Sequence, residues 1–280
     1  MKIIKKEVLA NYQGARITRL EVVSPAIAQK VKPGQFIALM VSEEGERIPL
    51  TVVDRDEDKG SFTLIFQEVG FTTKLLGQLK TGDSLYSLVG PLGHPTEVKN
   101  YAKVILVGGG VGIAEIYPVA KAFKKAGAQV DTIIGSRNKD LLILEKELKE
   151  VSDDFFVTTD DGSYGRKGFV TDILKELLSA NHQPSTMNQL VYAVGPIPMM
   201  KRVSQVTKDY GVKTLASLNA LMVDATGMCG CCRVTVAGQL KFSCVDGPDF
   251  DAHLVDWEEL TKRNRVYEAK EKHICNLQKL

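Results

Sequence analysis

The sequence lacks what a membrane protein, a secreted protein or a polyanion binder carries. No apolar run reaches the roughly 20 residues that a bilayer-spanning helix needs. The opening segment, Met1-Lys-Ile-Ile-Lys-Lys-Glu7, has charge but no apolar centre, so no secretion signal is expected and the cytoplasm is the expected location. The 36 basic residues nearly cancel the 34 acidic ones, and a formal net charge of +2 gives no field for gripping nucleic acid or an anionic membrane. There is no internal repeat and no low-complexity segment. The single tryptophan, Trp257, reads as a packing anchor, and His253 is assigned no catalytic role. Cysteines are also few, five in all, but four of them fall within residues 229–244. Thiols of a reducing compartment stay reduced, so such a cluster favours a metal site over disulfides. Cys275, outside it, reads as a buried or interface thiol.

With 44% hydrophobic and 25% charged residues, the chain has the composition of a globular protein large enough to bury a sizeable core. Residues 1–98 are β-rich. Alternating or β-branched runs at 15–23, 35–41, 49–54, 61–68 and 83–89 are separated by turn signals such as Lys32-Pro33-Gly34 and Thr81-Gly82-Asp83. That spacing predicts a small closed antiparallel barrel. From Lys103 the rhythm changes. Val104-Ile-Leu-Val107 is continuously apolar, as a strand buried on both faces is. Helix-like and strand-like stretches then alternate to Val194, predicting a parallel α/β domain over 99–220. Residues 221–280 hold the cysteines and a charged, helical tail.

The cysteine segment reads Asp224-Ala-Thr-Gly-Met-Cys229-Gly-Cys231-Cys232, with Cys244 following. With Asp224 in the first slot the spacing is D-x4-C-x2-C-x11-C. A plant-type [2Fe–2S] loop is spaced C-x4-C-x2-C…C. Three ligand sets stay open. Asp224 donates a carboxylate oxygen, a harder donor than thiolate; or Cys231 serves with local rearrangement; or the site holds a structural zinc.

Three further segments lie at the carboxyl ends of predicted strands, where open α/β sheets bind ligands. They are Gly108-Gly109-Gly110-Val-Gly112-Ile-Ala114, Thr159-Asp-Asp161-Gly-Ser-Tyr-Gly165 and Tyr192-Ala-Val-Gly195-Pro196-Ile-Pro198-Met199. Glycines let a backbone turn tightly and approach a pyrophosphate, and a following helix N-terminus supplies N–H groups. The first segment is not a G-x-G-x-x-G fingerprint, because its third glycine is missing.

Taken in order, these features resemble the ferredoxin–NADP reductase superfamily over residues 1–200. With the cysteine loop included, nearly the whole chain resembles two related kinds of subunit. One is the electron-transfer subunit of dihydroorotate dehydrogenase; the other is the small subunit of NADH-dependent ferredoxin–NADP oxidoreductase. The resemblance implies a flavin-binding β-barrel, then a parallel-sheet nicotinamide-binding α/β domain, then a C-terminal [2Fe–2S] module over 221–280. It places the nicotinamide cofactor at Gly109, Gly110, Gly112, Asp161, Gly195, Pro196 and Met199. Arg137, after the second parallel strand, is set beside its ribose. Ala193 stands where many relatives have a cysteine. Ile48-Pro49-Leu50-Thr51 resembles the flavin signature, Arg-x-Tyr-Ser/Thr, with Thr51 near flavin N5 and Arg47 one residue early for the phosphate. Pro49, Leu50, Phe66 and a second phosphate loop, Val69-Gly70-Phe-Thr72-Thr73, complete the implied flavin site, and Gly90-Pro91-Leu92-Gly93 closes the barrel segment.

The implied cofactors are FAD, NAD(H) and a [2Fe–2S] cluster on Asp224, Cys229, Cys232 and Cys244. The ferredoxin–NADP oxidoreductase subunit is expected to share the aspartate, whereas the dihydroorotate subunits have cysteine in that slot. The implied function is conversion of two-electron to one-electron transfer, with no acid–base residue needed. No substrate-pocket signature is present, so a larger flavin and iron–sulfur catalytic partner is expected, in a heterodimer or higher assembly, with ferredoxin reached through the complex. A zinc-clipped flavin or nucleotide regulatory module is the alternative from another class.

Overall fold

The computed structural model describes residues 1–180 and 188–277, apart from the side chains of residues 272 and 274–277; Cys275 falls among the latter. The chain divides into two compact units. One comprises Met1–Pro95, Ala220–Pro248 and Asp256–Leu280; the other comprises Thr96–Asn219 and Asp249–Val255.

The first unit opens with β1 (Ile3–Tyr12), β2 (Ala15–Val23), α1 (Pro25–Ala28), β3 (Phe36–Met40), β4 (Ile48–Asp56), β5 (Ser61–Gln67), α2 (Phe71–Gln78) and β6 (Ser87–Leu92). The six strands pair antiparallel in the order β1-β2-β5-β4-β3-β6. The two edges of that order are joined through the segment before β6. Ile3 N–H donates to Asp83 O at 2.8 Å and Leu85 N–H to Met1 O at 2.9 Å, while Tyr86 N–H reaches Met40 O at 3.1 Å. The sheet is therefore the barrel that the turn spacing predicts, with its edge groups satisfied by closure. Strand alternation turns Leu20, Val22, Ile37, Leu39, Phe62, Leu64 and Phe66 inward, where Leu76 of α2 joins them. Each such side chain stabilises the unit by roughly 1.5–3 kcal/mol.

Strand β1 is absent from the sequence reading because its composition hides it. Only Ile3 and Ala10 of the strand are buried; Lys5 and Glu7 between them are exposed, and the half-buried Lys6 donates to Leu79 O at 2.8 Å.

The second unit holds β7 (Lys103–Gly109), α3 (Gly112–Lys125), β8 (Gln129–Ser136), α4 (Glu145–Glu150), β9 (Asp154–Thr159), β10 (Arg166–Lys167), α5 (Val170–Ala180), β11 (Gln189–Val194), α6 (Ile197–Asp209) and β12 (Lys213–Ser217). Its sheet runs β10-β9-β8-β7-β11-β12, all parallel. The chain works outward from β7 on one side, then returns to add β11 and β12 on the other. The topological switch point therefore lies between β7 and β11, where such sheets bind ligands. Val104–Val107 are fully buried, as their continuous apolarity requires.

The remaining elements are β13 (Arg233–Val236), β14 (Gln239–Phe242), α7 (Ser243–Asp246), β15 (Asp249–Asp251), α8 (Trp257–Asn264) and α9 (Glu268–Leu277). Strands β13 and β14 form a hairpin of the first unit. Its two-residue turn, Ala237-Gly238, has positive φ at both positions (53° and 73°), the conformation that matches hairpin twist. Strand β15 leaves that unit and pairs antiparallel with β12 of the parallel sheet. Trp257 is buried at the start of α8.

Candidate cofactor sites

In the second unit, two turns meet at the switch point. Gly110 has φ +57°, and a Cβ there would meet no atom within 4 Å, so the bend is glycine's and its outer side is open. Gly112 begins α3, and a Cβ on it would lie 2.5 Å from Val194 O, against backbone. A Cβ on Gly195 would stand 3.0 Å from Gly109 O, and one on Gly109 would stand 2.4 Å from Met199 Sδ and 3.2 Å from Pro196 Cδ. Gly109, Gly110, Gly112, Gly195, Pro196 and Met199 are thus gathered at one place, with α3 presenting its N-terminus there. Backbone of the other turn demands glycine at Gly112, whereas a Cβ on Gly109 or Gly195 would first meet the flexible end of Met199.

The ends of the neighbouring strands bring the other expected residues together. Asp160 N–H donates to Ser136 O at 3.1 Å and Asp161 N–H to Arg137 O at 3.3 Å. Hydrogen bonds from Ser163 hold the Asp161 carboxyl below its usual range. Partial burial and the Asp161 charge push Asp160 up, with Arg137 opposing.

The sequence reading does not contain the polar network behind these turns. Tyr192 is 1% exposed and donates from its hydroxyl to Asp249 Oδ1 at 2.9 Å; Thr96 Oγ1 donates to Asp249 Oδ2 at 2.6 Å. Burial pushes the Asp249 carboxyl up, and burial together with the Asp249 charge pushes Tyr192 well above its ordinary value. Nothing in the local sequence marks Asp249, because its partners lie 57 and 153 residues away.

In the first unit, the cysteine loop owes its shape to the β13–β14 hairpin. Register pairs Arg233 with Phe242, so the residues just outside the pair, Cys232 and Ser243, face each other, and Ser243 N–H donates to Cys232 O at 3.0 Å. Cys244 follows immediately. The Cys232 and Cys244 sulfurs consequently lie 3.2 Å apart, both 2% exposed, although 12 residues separate them in sequence. Burial, then the Cys232 contact, pushes the Cys244 thiol up to about 12. The other end of the loop is built by left-handed backbone at Ala225, Gly227 and Gly230. There Cys229 is exposed, and backbone N–H groups of Cys231 and Asp224 pull its thiol below the usual value. Cys231 differs: partial burial and the nearby Cys229 raise its thiol, and its carbonyl accepts from Arg263 Nη2 at 3.0 Å.

Asp224 is held from two sides. Thr226 donates to Oδ2 from its N–H at 3.1 Å and also from its hydroxyl, which keeps the carboxyl below its usual range. Arg47 donates from Nη1 to Oδ1 at 3.1 Å. Of the expected ligands, Cys232 and Cys244 stand sulfur to sulfur at one end of the loop, and at the other the Asp224 backbone N–H reaches the Cys229 sulfur. A two-iron cluster takes two protein ligands on each iron, and two donors at each end of the loop fit that demand.

The expected flavin residues are distributed differently from the sequence reading. Pro49, Leu50 and Thr51 lie on β4, half-exposed, with Leu50 and Ile48 turned to the barrel core. Phe66 is 2% exposed and its ring packs in that core. Arg47, half-buried, spends its Nη1 on Asp224. Gly70 caps α2, and Thr73 Oγ1 accepts from the Gly70 N–H at 3.0 Å and the Val69 N–H at 3.1 Å. Thr72 donates its hydroxyl to the Glu46 carboxylate, a partner the sequence reading missed.

Comparison with known proteins agrees with this architecture. Residues 219–256 match the model for the iron–sulfur cluster binding domain of dihydroorotate dehydrogenase B, and residues 106–205 match the oxidoreductase NAD-binding domain. The chain is 49% identical over 249 residues to the dihydroorotate dehydrogenase B (NAD(+)) electron transfer subunit homolog of Thermotoga maritima, covering 89% of this chain and 86% of that protein. It is 46% identical over 280 residues to an uncharacterised protein from the adh 3′ region of Clostridium beijerinckii, covering 96% and 91%. Among solved structures, a chain of the NADH-dependent reduced ferredoxin–NADP oxidoreductase, studied for flavin-based electron bifurcation, superposes with TM-score 0.89 at 46% identity, covering 97% of this chain and 95% of that one. An Amycolatopsis cytochrome P450 reductase shares the fold at 22% identity and TM-score 0.61, covering 75% and 65%. By sequence, by both matched domains and by fold, the chain belongs to the family of dihydroorotate dehydrogenase B electron-transfer subunits and their homologues, oxidoreductases of the ferredoxin reductase fold.

Proposed function

We propose that this chain is the small electron-transfer subunit of an NADH-linked flavin and iron–sulfur oxidoreductase of the NADH-dependent ferredoxin–NADP oxidoreductase kind. The observation that carries this reading is the donor set: Asp224, Cys229, Cys232 and Cys244 at plant-type spacing on one loop, with Asp224 in the slot where a dihydroorotate subunit is expected to have cysteine.

Asp224, Cys229, Cys232 and Cys244 would hold the cluster. The open side of Gly110 and the N-terminus of α3 take the dinucleotide pyrophosphate, with Gly109, Gly112, Gly195, Pro196 and Met199 shaping the nicotinamide end. Arg137 and Asp161 take the ribose. Pro49, Leu50, Thr51, Gly70, Thr72 and Thr73 line the flavin site on the barrel. A bound flavin accepts hydride as an electron pair and releases electrons singly, which is the chemistry that links a nicotinamide to a one-electron centre. No side chain has to move a proton for this; the protein positions and insulates.

Electrons leave to, or arrive from, a larger catalytic subunit. Exposed apolar side chains near the cysteines support that reading: Met228 is 87% exposed, Val223 54% and Val245 40%. Exposed apolar surface of this kind marks a protein contact more often than bare surface.

The test is metal and spectral analysis of the chain and of Asp224→Cys. About two irons and two sulfides per chain are expected, and Asp224→Cys should keep them while changing the visible and EPR spectra. Zinc without iron, or an unchanged spectrum in Asp224→Cys, would remove the cluster or the carboxylate ligand from the assignment.

A further inference from the structure

We propose that Arg47 is a positioning residue of the cluster site, orienting the Asp224 carboxylate and holding a positive charge that favours the reduced cluster. The inference rests on the reading above that Asp224 fills a ligand slot. Arg47 stands 177 residues from Asp224 in sequence, beside the first residue of β4 on the barrel. Its Nη1 donates both to Asp224 Oδ1, at 3.1 Å, and to the Asp224 carbonyl, at 3.4 Å. One guanidinium nitrogen thereby fixes the side chain and the backbone of the same residue.

The two carboxylate oxygens are made unequal. Oδ1 faces the cation, whereas Oδ2 accepts from the neutral N–H and hydroxyl of Thr226, and the Met228 N–H, also neutral, bonds the same carboxylate. Each carboxylate oxygen has two lone-pair sites, so accepting from Arg47 or Thr226 leaves room for an iron. What these contacts remove is rotation of the carboxylate plane. A third observation points the same way. Arg47 Nε is buried, with no acceptor among the described residues. A buried N–H without a partner is costly, and an anionic group beside it relieves that cost.

Charge supplies the direction of the effect. Reduction of a [2Fe–2S] cluster adds one electron, and a nearby fixed cation stabilises the more negative state. Hydrogen bonds and net charge around a cluster set its potential. Thr226 orients Oδ2 without adding charge, so the electrostatic part belongs to Arg47.

The experiment uses the full chain and compares wild type with Arg47→Gln, Arg47→Lys and Asp224→Cys. The readouts are iron and sulfide content, the EPR spectrum of the reduced cluster, its midpoint potential, flavin content and the melting curve. For Arg47→Gln the expected result is a roughly tenfold smaller equilibrium constant for one-electron reduction, a midpoint lower by about 59 mV, with altered EPR signals. Arg47→Lys keeps the charge but not the forked geometry. It should recover most of the potential while the EPR spectrum stays shifted. Loss of iron from Arg47→Gln at an unchanged melting temperature also supports positioning. If Arg47→Gln fails to fold, Arg47→Lys decides by its EPR spectrum.

A wild-type midpoint and EPR spectrum in Arg47→Gln overturn the proposal. So does loss of flavin with an unchanged cluster, which would give Arg47 to the flavin phosphate. If Asp224→Cys itself leaves the spectrum unchanged, the ligand assignment has failed. If Asp224→Cys alters the spectrum and Arg47→Gln does not, only the role of Arg47 has failed.

Discussion

Removing the Asp249 carboxylate should loosen the sheet that carries the nicotinamide turns. Asp249→Ala takes the acceptor from three hydroxyls, those of Tyr192 (1% exposed), Thr96 (5% exposed) and Ser217 (9% exposed). A stranded buried donor costs about 1–3 kcal/mol. The Tyr192 and Thr96 hydroxyls already lie 3.4 Å apart and can turn to each other, and Ser217 also bonds Tyr192, which recovers part of the loss. A net cost of about 2 kcal/mol follows, or a fall in Tm of about 4–8 °C. Asp249→Asn keeps one acceptor oxygen and should lose about half as much. The sign of the pH dependence is fixed by the direction of the shift. Burial raises the folded carboxyl above its unfolded value, so the folded state holds the proton more tightly. Its contribution is complete below the unfolded pKa and is lost as pH rises through the folded one. The wild-type advantage over Asp249→Asn should therefore shrink as pH rises across that window. Thermal unfolding by circular dichroism across pH reads both effects. An Asp249→Ala melt within about 1 °C of wild type, or an advantage that grows with pH, refutes the reasoning.

The two glycines of the first turn should fail in different ways. Gly110→Ala puts a methyl into open space at φ +57°, costing about 1–2 kcal/mol of backbone strain and weakening NADH binding in a fluorescence titration, with flavin retained. Gly112→Ala drives a methyl to 2.5 Å from the Val194 carbonyl, so its main effect is on the melt, about 1–3 kcal/mol of overpacking. Equal binding and stability losses in both variants would contradict the separation. Cys231→Ser should keep the cluster by visible spectrum, since Cys231 stands outside the expected ligand set, whereas Cys244→Ser should lose it; the reverse outcome would make Cys231 a ligand.

Some of this was legible in the sequence for plain physical reasons. A strand buried on both faces must be apolar throughout, which exposes Val104–Val107 at sight, and the cysteine spacing marks the segment that the matched iron–sulfur domain covers. Glycines forced by close backbone approach, such as Gly112, cannot be replaced without collision, so their pattern survives in the text of the chain. Other features have no local signature. Strand β1 alternates lysines with few buried residues and looks like surface. Residues 249–255 belong by sequence order to the cysteine segment, yet Asp249–Asp251 pairs with β12, because backbone pairing needs only an open sheet edge. Phe66 sits in the register that points into the barrel, a fact that depends on which face of β5 is covered. The Arg47–Asp224 contact joins positions 177 residues apart, and neither residue announces the other.

The most direct test is an anaerobic visible spectrum of the purified full-length chain, recorded before and after one equivalent of NADH. Flavin and iron–sulfur bands that bleach together are the expected result, establishing that electrons taken as a pair reach a one-electron centre within this chain. Flavin bands without iron–sulfur absorption, or a flavin that NADH leaves oxidised, would contradict the relay.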